Sequence, residues 1–202
     1  MFQIKKEQMK HLETLFSPKE MYLMTFDKNG HRNIPSMGSE HYQRIRRQEN
    51  LHLINGIEFT EKNSFAILQP YNGSCNWNIH PYSERNKLDG KGQAIHFFQH
   101  DYIFNSIWTR TETEVYKLAK FDAVFTPDFS LWVDAPEQVN KQAVYKSRLI
   151  GAYMQNCGFN VIPTFSWGNA STLDWSLEGL PEGGAMGTCG IGIRQHKAAF
   201  SL

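Results

Sequence analysis

Four short apolar runs, separated by helical patterns, dominate the second half of the chain. They lie at 94–98, 121–126, 160–166 and 184–192, and each predicts a strand. Between the second and third runs, apolar residues recur at spacings of four and seven, which predicts one buried face of a long helix. These residues are Val139, Ala143, Ile150 and Met154. Strands that alternate with helices in this way indicate βαβ units and a parallel sheet.

The predicted helices carry recognisable ends and faces. Asp134 and Pro136 supply a polar cap and a first-turn proline for the long helix, and Gly158 is a typical residue just beyond a helix end. A shorter helix is predicted over 111–120, with Val115, Leu118 and Ala119 facing inward. By contrast, the stretch from Asn72 to Pro81 is polar and predicts a loop.

The predicted fold class is α/β, with a mainly parallel sheet and helical crossovers. Two architectures fit this pattern, an open doubly wound sheet and a barrel-like sheet related to the eight-stranded β/α barrel. A closed barrel typically needs about 250 residues, whereas this chain has 202. We therefore expect an incomplete, β/α-barrel-like sheet.

The regular pattern predicts an α/β core domain over residues 61–202 and an N-terminal extension over 1–60. Within the extension, 4–16 predicts a short amphipathic helix and 21–26 predicts a strand or buried turn. We expect the extension to pack across the sheet or to supply an interface.

Composition excludes several classes of protein. The chain is 41% hydrophobic and 13% aromatic, which argues against disorder, and its net charge of +1 gives no strong global attraction for nucleic acid. No run approaches the roughly 18 apolar residues of a membrane span, and the start shows no signal-peptide pattern. Three widely spaced cysteines favour neither a disulfide scaffold nor a zinc site. The expected location is the cytoplasm, without a membrane partner.

Candidate chemistry follows from the rule that parallel α/β proteins bind ligands at the carboxyl ends of their strands. The candidate catalytic residues at these ends are Asp101, Asp128 and His100. The candidate ligand-binding residues are Arg148, Gln155, Trp167, Ser130 and Thr188. The indole of Trp167 would stack on a ring, and a small molecule such as a nucleotide or other phosphorylated metabolite is the expected partner.

Four of these assignments have a structural alternative. Asp101 and Asp128 could form an acid/base pair or hold a hydrated Mg²⁺, but an aspartate after a strand often caps a helix or braces a loop. No spacing code predicts a metal site, and no cofactor follows from the sequence. Arg148 and Gln155 share a helix face, where the favoured interpretation is a solvated flank and the alternative is an inward ion pair of Arg148 with a strand-end aspartate.

A basic segment, together with the loop over 71–91, supports a second hypothesis, in which the protein binds nucleic acid or a host protein without catalysis. The segment holds Tyr42, Arg44, Arg46 and Arg47. Arginine beside an aromatic ring can bind phosphates and stack bases, although a solvated surface is the simpler interpretation. A third possibility is a homo-oligomer formed through the aromatic residues of 71–82.

The second half of the chain also resembles a known family. The resemblance rests on the block Thr126-Pro-Asp-Phe-Ser130, the helix residues Arg148 to Gln155, and the block Val161 to Trp167. The family is a domain of unknown function found in phages, plasmids and other bacterial mobile elements. The resemblance implies an accessory protein in a bacterial or phage cytoplasm and supplies no reaction.

Two departures from the family pattern bear on the site and the fold. Family members usually carry an acidic residue where His100 stands, so a two-carboxylate cluster is reduced to Asp101 alone. Members also continue beyond the glycine-rich strand through a helix and a further strand. The resemblance thus implies that both elements are missing after Leu202.

Overall fold

The computed structural model describes residues 40–189. The chain divides into two compact units between Glu49 and Asn50. The first unit contributes one described element, helix α1 (Glu40–Gln48). The helix and strand expected at 4–16 and 21–26 lie outside the described residues, and the boundary near residue 60 stays a prediction from the sequence.

The second unit contains a parallel sheet of four short strands in sequential order. The strands are β1 (Asn78–Pro81), β2 (Gln93–His96), β3 (Ala123–Phe125) and β4 (Val161–Ile162). The helices are a 3-10 turn (Tyr82–Glu84), α2 (Asp101–Phe104), α3 (Ser106–Thr109), α4 (Thr111–Leu118), α5 (Glu137–Asn156) and α6 (Ala170–Ser176). Each strand pairs with the next one along the chain.

This strand order decides between the two expected architectures. A doubly wound sheet reverses direction at a switch point, whereas these four strands step across the sheet in one direction. The predicted α/β class with an incomplete, barrel-like parallel sheet is confirmed, and the barrel is not closed.

Isolated bridges extend the sheet beyond β4. Thr164 pairs in parallel with Gly187, and Ala185 pairs in antiparallel fashion with Tyr71. The expected glycine-rich strand is therefore represented by single bridges within the described residues. The ring of Tyr71 lies 5.5 Å from that of Trp77, which directly precedes β1. Tyr71 thus contacts both the segment that follows β4 and the residue that precedes β1.

Strand β1 was expected to be a loop, and its position at the edge explains the error. Asn78 and Ile79 are both exposed, so the strand lacks the apolar run that marks a buried strand. It is recognisable only through its pairing, in which Asn78 to Pro81 match Gln93 to His96.

Alternating strand residues face two different apolar clusters, as the two-residue period of a strand requires. Ile95, Val124 and Val161 belong to the large cluster that includes residues of α3, α4 and α5. Ala94, Ala123, Phe125 and Ile162 face the other side, with Tyr71, Trp77 and Phe98 packed against them. Gly187 lies on this second side, where a Cβ atom would stand 2.6 Å from the Phe125 ring.

Helix α5 buries most of the expected face and more besides. Ile150 and Met154 are buried and Ala143 packs against the core, whereas Val139 is 48% exposed. Ser147, Arg148 and Gly151 are buried as well. The helix approaches β3 closely because Gly151 has no side chain; a Cβ there would lie 2.5 Å from Cγ2 of Thr126.

The ends of the two predicted helices are partly as expected. Gly158 lies just beyond the end of α5 with φ +84°, as expected for a glycine at that position. Pro136, by contrast, is the N-cap of α5 rather than a residue of its first turn. On α4, Val115 and Leu118 are buried as expected. Ala119 follows the helix and is exposed, contrary to the sequence prediction.

Candidate functional site at the strand ends

Polar side chains join the ends of β3 and β4 in a ladder. Thr126 Oγ1 lies 2.7 Å from Thr164 Oγ1, and two residues further along each segment Ser166 Oγ donates to Asp128 Oδ1. Because side chains two residues apart on an extended segment share a side, Thr126 and Asp128 point the same way. That side faces α5, since Thr126 lies beneath Gly151.

The chain after β2 contributes Asp101 to the same group. Ser130 Oγ donates to Asp101 Oδ1 at 2.8 Å, and the Ser130 N–H donates to both carboxylate oxygens at 3.2 Å. Asp101 therefore braces the loop that follows β3, which is the structural alternative considered for it. Asp101 and Ser130 are nonetheless brought together, and the Asp101 charge acts on Asp128.

Asp128 occupies an environment that favours its protonated form. Burial raises the pKa of its carboxyl group from an ordinary 3.8 to about 6, and repulsion from Asp101 adds to the effect. The hydrogen bond from Ser166 and the charge of Arg148 oppose the rise without cancelling it. A carboxyl group that titrates near neutral pH can accept or donate a proton under physiological conditions.

Arg148 is buried beneath the strand ends, with 2% of its surface exposed. Its two terminal nitrogens donate to the carbonyl oxygens of Thr164 at 3.1 Å and Ser176 at 2.9 Å, while its Nε is buried without a hydrogen-bond partner. Burial lowers the pKa of the guanidinium to about 10, and the Asp128 carboxylate opposes this. The favoured interpretation of Arg148 as a solvated residue is wrong, because α5 buries the polar side chains of Ser147 and Arg148 as well as apolar ones.

A small cavity lies between these groups. Its lining includes Asp128, Ser147, Arg148 and Ser166, with Leu131 among its apolar wall residues. Its volume of about 10 Å³ is close to what one water molecule needs. In this conformation the cleft has room for a water molecule and not for a larger ligand.

Three other expected ligand-binding residues lie apart from this cavity. Gln155 accepts from the Gln69 N–H at 3.0 Å and donates to the Gln69 carbonyl at 2.9 Å, so it anchors that backbone segment to α5. Trp167 stacks on Phe165 at 5.0 Å. Because the intervening Ser166 contacts Asp128, the indole lies on the other side of this segment. Thr188 is exposed.

His100 is exposed at the N-cap of α2, where it stacks on Tyr102. The half-buried histidine near these strand ends is instead His96, whose Nδ1 accepts from the Phe98 N–H at 3.0 Å. Burial lowers the pKa of His96, with a smaller opposing effect from Glu84. Sequence reasoning missed His96 because it lies within the apolar run rather than after it.

The basic segment forms part of α1. Arg44 pairs with Glu40 one turn earlier, and the Arg46 guanidinium lies 5.9 Å from the centre of the Tyr42 ring. Arg47 is exposed. Arg44 and Arg46 therefore contact other side chains of the same helix.

Two polar residues that matter to the structure were not selected from the sequence. Ser166 could have been found from the sequence. It lies two residues after Thr164 beyond β4, just as Asp128 lies two residues after Thr126 beyond β3. Glu114 gave no such signal. It is fully buried in α4 and accepts hydrogen bonds from Tyr82, Arg85 and Lys117 at 2.7, 2.7 and 2.8 Å.

Within residues 40–189, no group of three or more histidine, cysteine, aspartate or glutamate side chains is arranged to hold a metal ion. Among the same residues, no helix is both long enough and apolar enough to cross a bilayer.

Fold and site together define an α/β protein with a sequentially ordered parallel sheet and a polar cleft at its strand ends. The family model described as a domain of unknown function (DUF4417) matches residues 62–202, and the chain belongs to that family. This confirms the resemblance seen in the sequence.

Two curated relatives are both named Gene 1 protein. The one from Mycobacterium phage D29 is 38% identical over 126 residues, which are 62% of this chain and 46% of that protein. The one from Mycobacterium phage L5 is 37% identical over 126 residues, which are 62% of this chain and 54% of that protein. The matched region thus spans about half the length of each relative. No solved structure matches the chain.

Proposed function

We propose that the protein is a phage or mobile-element accessory protein whose strand-end cleft binds a small polar molecule. The similarity to two phage proteins supports the accessory role. The observation that supports the binding site is a cavity lined by Asp128 and by buried Arg148, whose Nε has no hydrogen-bond partner. A buried donor without a partner costs free energy, so a ligand or water that accepts from it is favoured.

The two charged groups suit a ligand that carries both an anionic oxygen and a hydroxyl group. The Arg148 Nε–H would donate to the anionic oxygen, while Asp128 would accept from the hydroxyl or take its proton. Nucleotides and other phosphorylated metabolites have both features and are the class to test first. Since the cavity is water-sized, such a ligand enters only if the loop containing Leu131 moves aside.

Chemical-shift mapping of the ¹⁵N-labelled protein tests this proposal. Inorganic phosphate, AMP and ATP are titrated separately while the amides of 126–130 and 164–168 are followed. We expect at least one probe to shift these amides in a saturable way, and Asp128→Asn to weaken that binding. Ser166→Ala should weaken it as well, because Ser166 positions the Asp128 carboxyl group.

Ser171→Ala is the matched control, since Ser171 is exposed and contacts Asn169 rather than the cleft. Its affinity should equal that of the wild-type protein. Absence of saturable shifts at these amides with all three probes would overturn the nucleotide and phosphate proposal. So would binding that Asp128→Asn and Ser166→Ala leave unchanged.

The alternative partner, nucleic acid or a host protein bound through α1, stays a proposal. Exposed Arg47 and the Arg46 guanidinium beside the Tyr42 ring support it. Replacing Arg44, Arg46 and Arg47 by alanine should then weaken a salt-sensitive complex. Unchanged affinity at low salt would exclude this segment as the binding surface.

A further inference from the structure

An open surface depression lies at the carboxyl end of α4, in the part of the structure that follows Asn50. It has a volume of about 510 Å³ and is lined by Asn86, Tyr116, Lys117, Ala119 and Lys120. Ligand pockets typically measure roughly 300–1,000 Å³, so this depression has a suitable size whereas the strand-end cavity does not. No carboxylate lines it, and Tyr116 is 82% exposed.

Buried Glu114 is surrounded by three cations, one of which, Lys117, lines the depression. Its carboxylate contacts Arg85 at 2.7 Å and Lys117 at 2.8 Å, and Arg110 lies at 3.4 Å. One negative charge thus faces three positive charges, which leaves two positive charges uncompensated within the group. The ion pair with Glu114 holds Lys117 at the edge of the depression, where its side chain is 40% exposed. Lys117 thus brings part of the excess positive charge to this surface.

The loop after the 3-10 turn is fixed against the same end of α4. Lys120 Nζ donates to the Leu88 carbonyl oxygen at 2.5 Å. Gly90 approaches Lys120 so closely that a Cβ atom would lie 2.2 Å from the Lys120 carbonyl oxygen. These contacts position Asn86 beside Tyr116 and the two lysines, and exposed Lys87 lies in the same loop. The ammonium of Lys120 is thereby bound to a neutral oxygen, so its charge is not neutralised.

We propose that this depression binds a segment of single-stranded nucleic acid. A base would stack on the exposed ring of Tyr116, phosphates would contact Lys117 and Lys120, and the Asn86 amide would reach a base edge. Stacking on an aromatic ring beside cations is the usual combination in single-strand binding. An acidic peptide would use the lysines but would leave the Tyr116 ring without a flat partner. This site is distinct from both the strand-end cleft and α1.

Fluorescence polarisation with a labelled single-stranded DNA of about 12 nucleotides tests the proposal at low salt. We expect the wild-type protein to bind this DNA, and Tyr116→Ala to lower the affinity by about 5- to 150-fold. Tyr102→Ala is the matched control, because Tyr102 is 80% exposed and lies outside the depression. It should bind like the wild-type protein.

Charge variants provide a second readout. Lys120→Gln should weaken binding and reduce the dependence of log K on log salt by about one, whereas Lys141→Gln on α5 should change neither. Asp89 is an exposed acid in the loop beside Lys120, so Asp89→Asn should tighten binding. Circular dichroism confirms that each variant is folded.

Several outcomes would overturn this assignment. They are no wild-type binding at low salt, equal loss for Tyr116→Ala and Tyr102→Ala, or equal affinity for a glutamate-rich peptide of the same charge. Binding lost only when the α1 arginines are replaced would assign the interaction to that helix instead. The site does not depend on the cleft, so Asp128→Asn should leave DNA affinity unchanged.

Discussion

Asp128→Asn should make the protein more stable at neutral pH, although it alters the centre of the candidate site. The carboxylate of Asp128 is held in a buried position close to Asp101, and both effects oppose its ionisation. The asparagine side chain has nearly the same shape and carries no charge. Its amide oxygen can still accept from Ser166, as the Oδ1 of Asp128 does. The substitution therefore removes the unfavourable charge and keeps the hydrogen bond.

The magnitude follows from the pKa of Asp128, which rises from 3.8 in its ordinary state to about 6 in the folded protein. Each pKa unit corresponds to about 1.4 kcal/mol, so ionisation of Asp128 opposes folding by up to about 3 kcal/mol. The folded state binds the proton more tightly than the unfolded state. Stability from this group is thus lost as pH rises from about 4 to about 6, and the loss is complete above that range.

Urea unfolding of both proteins at several pH values measures this effect. We expect Asp128→Asn to be more stable by about 1–3 kcal/mol near pH 7.5, and this difference to shrink towards pH 4. Asp174→Asn is the control, because Asp174 is exposed and its replacement should change stability by less than about 0.5 kcal/mol. A variant less stable than the wild type at pH 7.5, or a difference independent of pH, would refute the reasoning.

Three further predictions concern the framework around the site, and each is measured by urea unfolding. Glu114→Gln should lower the free energy of unfolding by about 3 kcal/mol at neutral pH, because hydrogen bonds and cations lower the pKa of Glu114 to about 2 despite its burial. In the wild type this stabilisation is lost as pH falls from about 4.5 to 2, and an unchanged pH profile in the variant would contradict the prediction. Gly151→Ala should cost about 1–3 kcal/mol, since its Cβ would lie 2.5 Å from Thr126; unchanged stability would show that α5 can shift outward. Asn140→Ala should cost about 1–3 kcal/mol, because buried Asn140 makes two 2.8 Å hydrogen bonds with the backbone of Trp132; Asn86→Ala, at an exposed position, is the control.

The sequence predicts the buried elements of the fold well, because burial leaves a pattern. Strands β2, β3 and β4 overlap predicted apolar runs, and α5 ends two residues before the expected Gly158. The rule that ligands bind at strand ends also selects Asp101, Asp128 and Ser130, which the fold brings together. Such positions follow from topology, so no catalytic motif is needed to find them.

The remaining features depend on contacts between distant residues and leave no local pattern. The edge strand β1 is defined by its partner β2 and not by its own apolar content. Arg148 was assigned to a solvated flank because a charged residue beside an apolar stripe usually lies there. In the structure it is buried because two carbonyl oxygens from distant segments accept its hydrogen bonds. Neither acceptor is visible from the helix sequence.

Two carboxyl groups of this fold show why environment, and not residue type, separates framework from candidate chemistry. Burial opposes the ionisation of both Glu114 and Asp128. Glu114 receives three hydrogen bonds, two of them from cations, so its charged form is favoured and stabilises the fold. Asp128 accepts from Ser166 and faces the like charge of Asp101, so its charged form is disfavoured. A group kept in an unfavourable state beside a cavity is available for proton exchange or ligand contact, which is why the proposal of a functional site rests on Asp128.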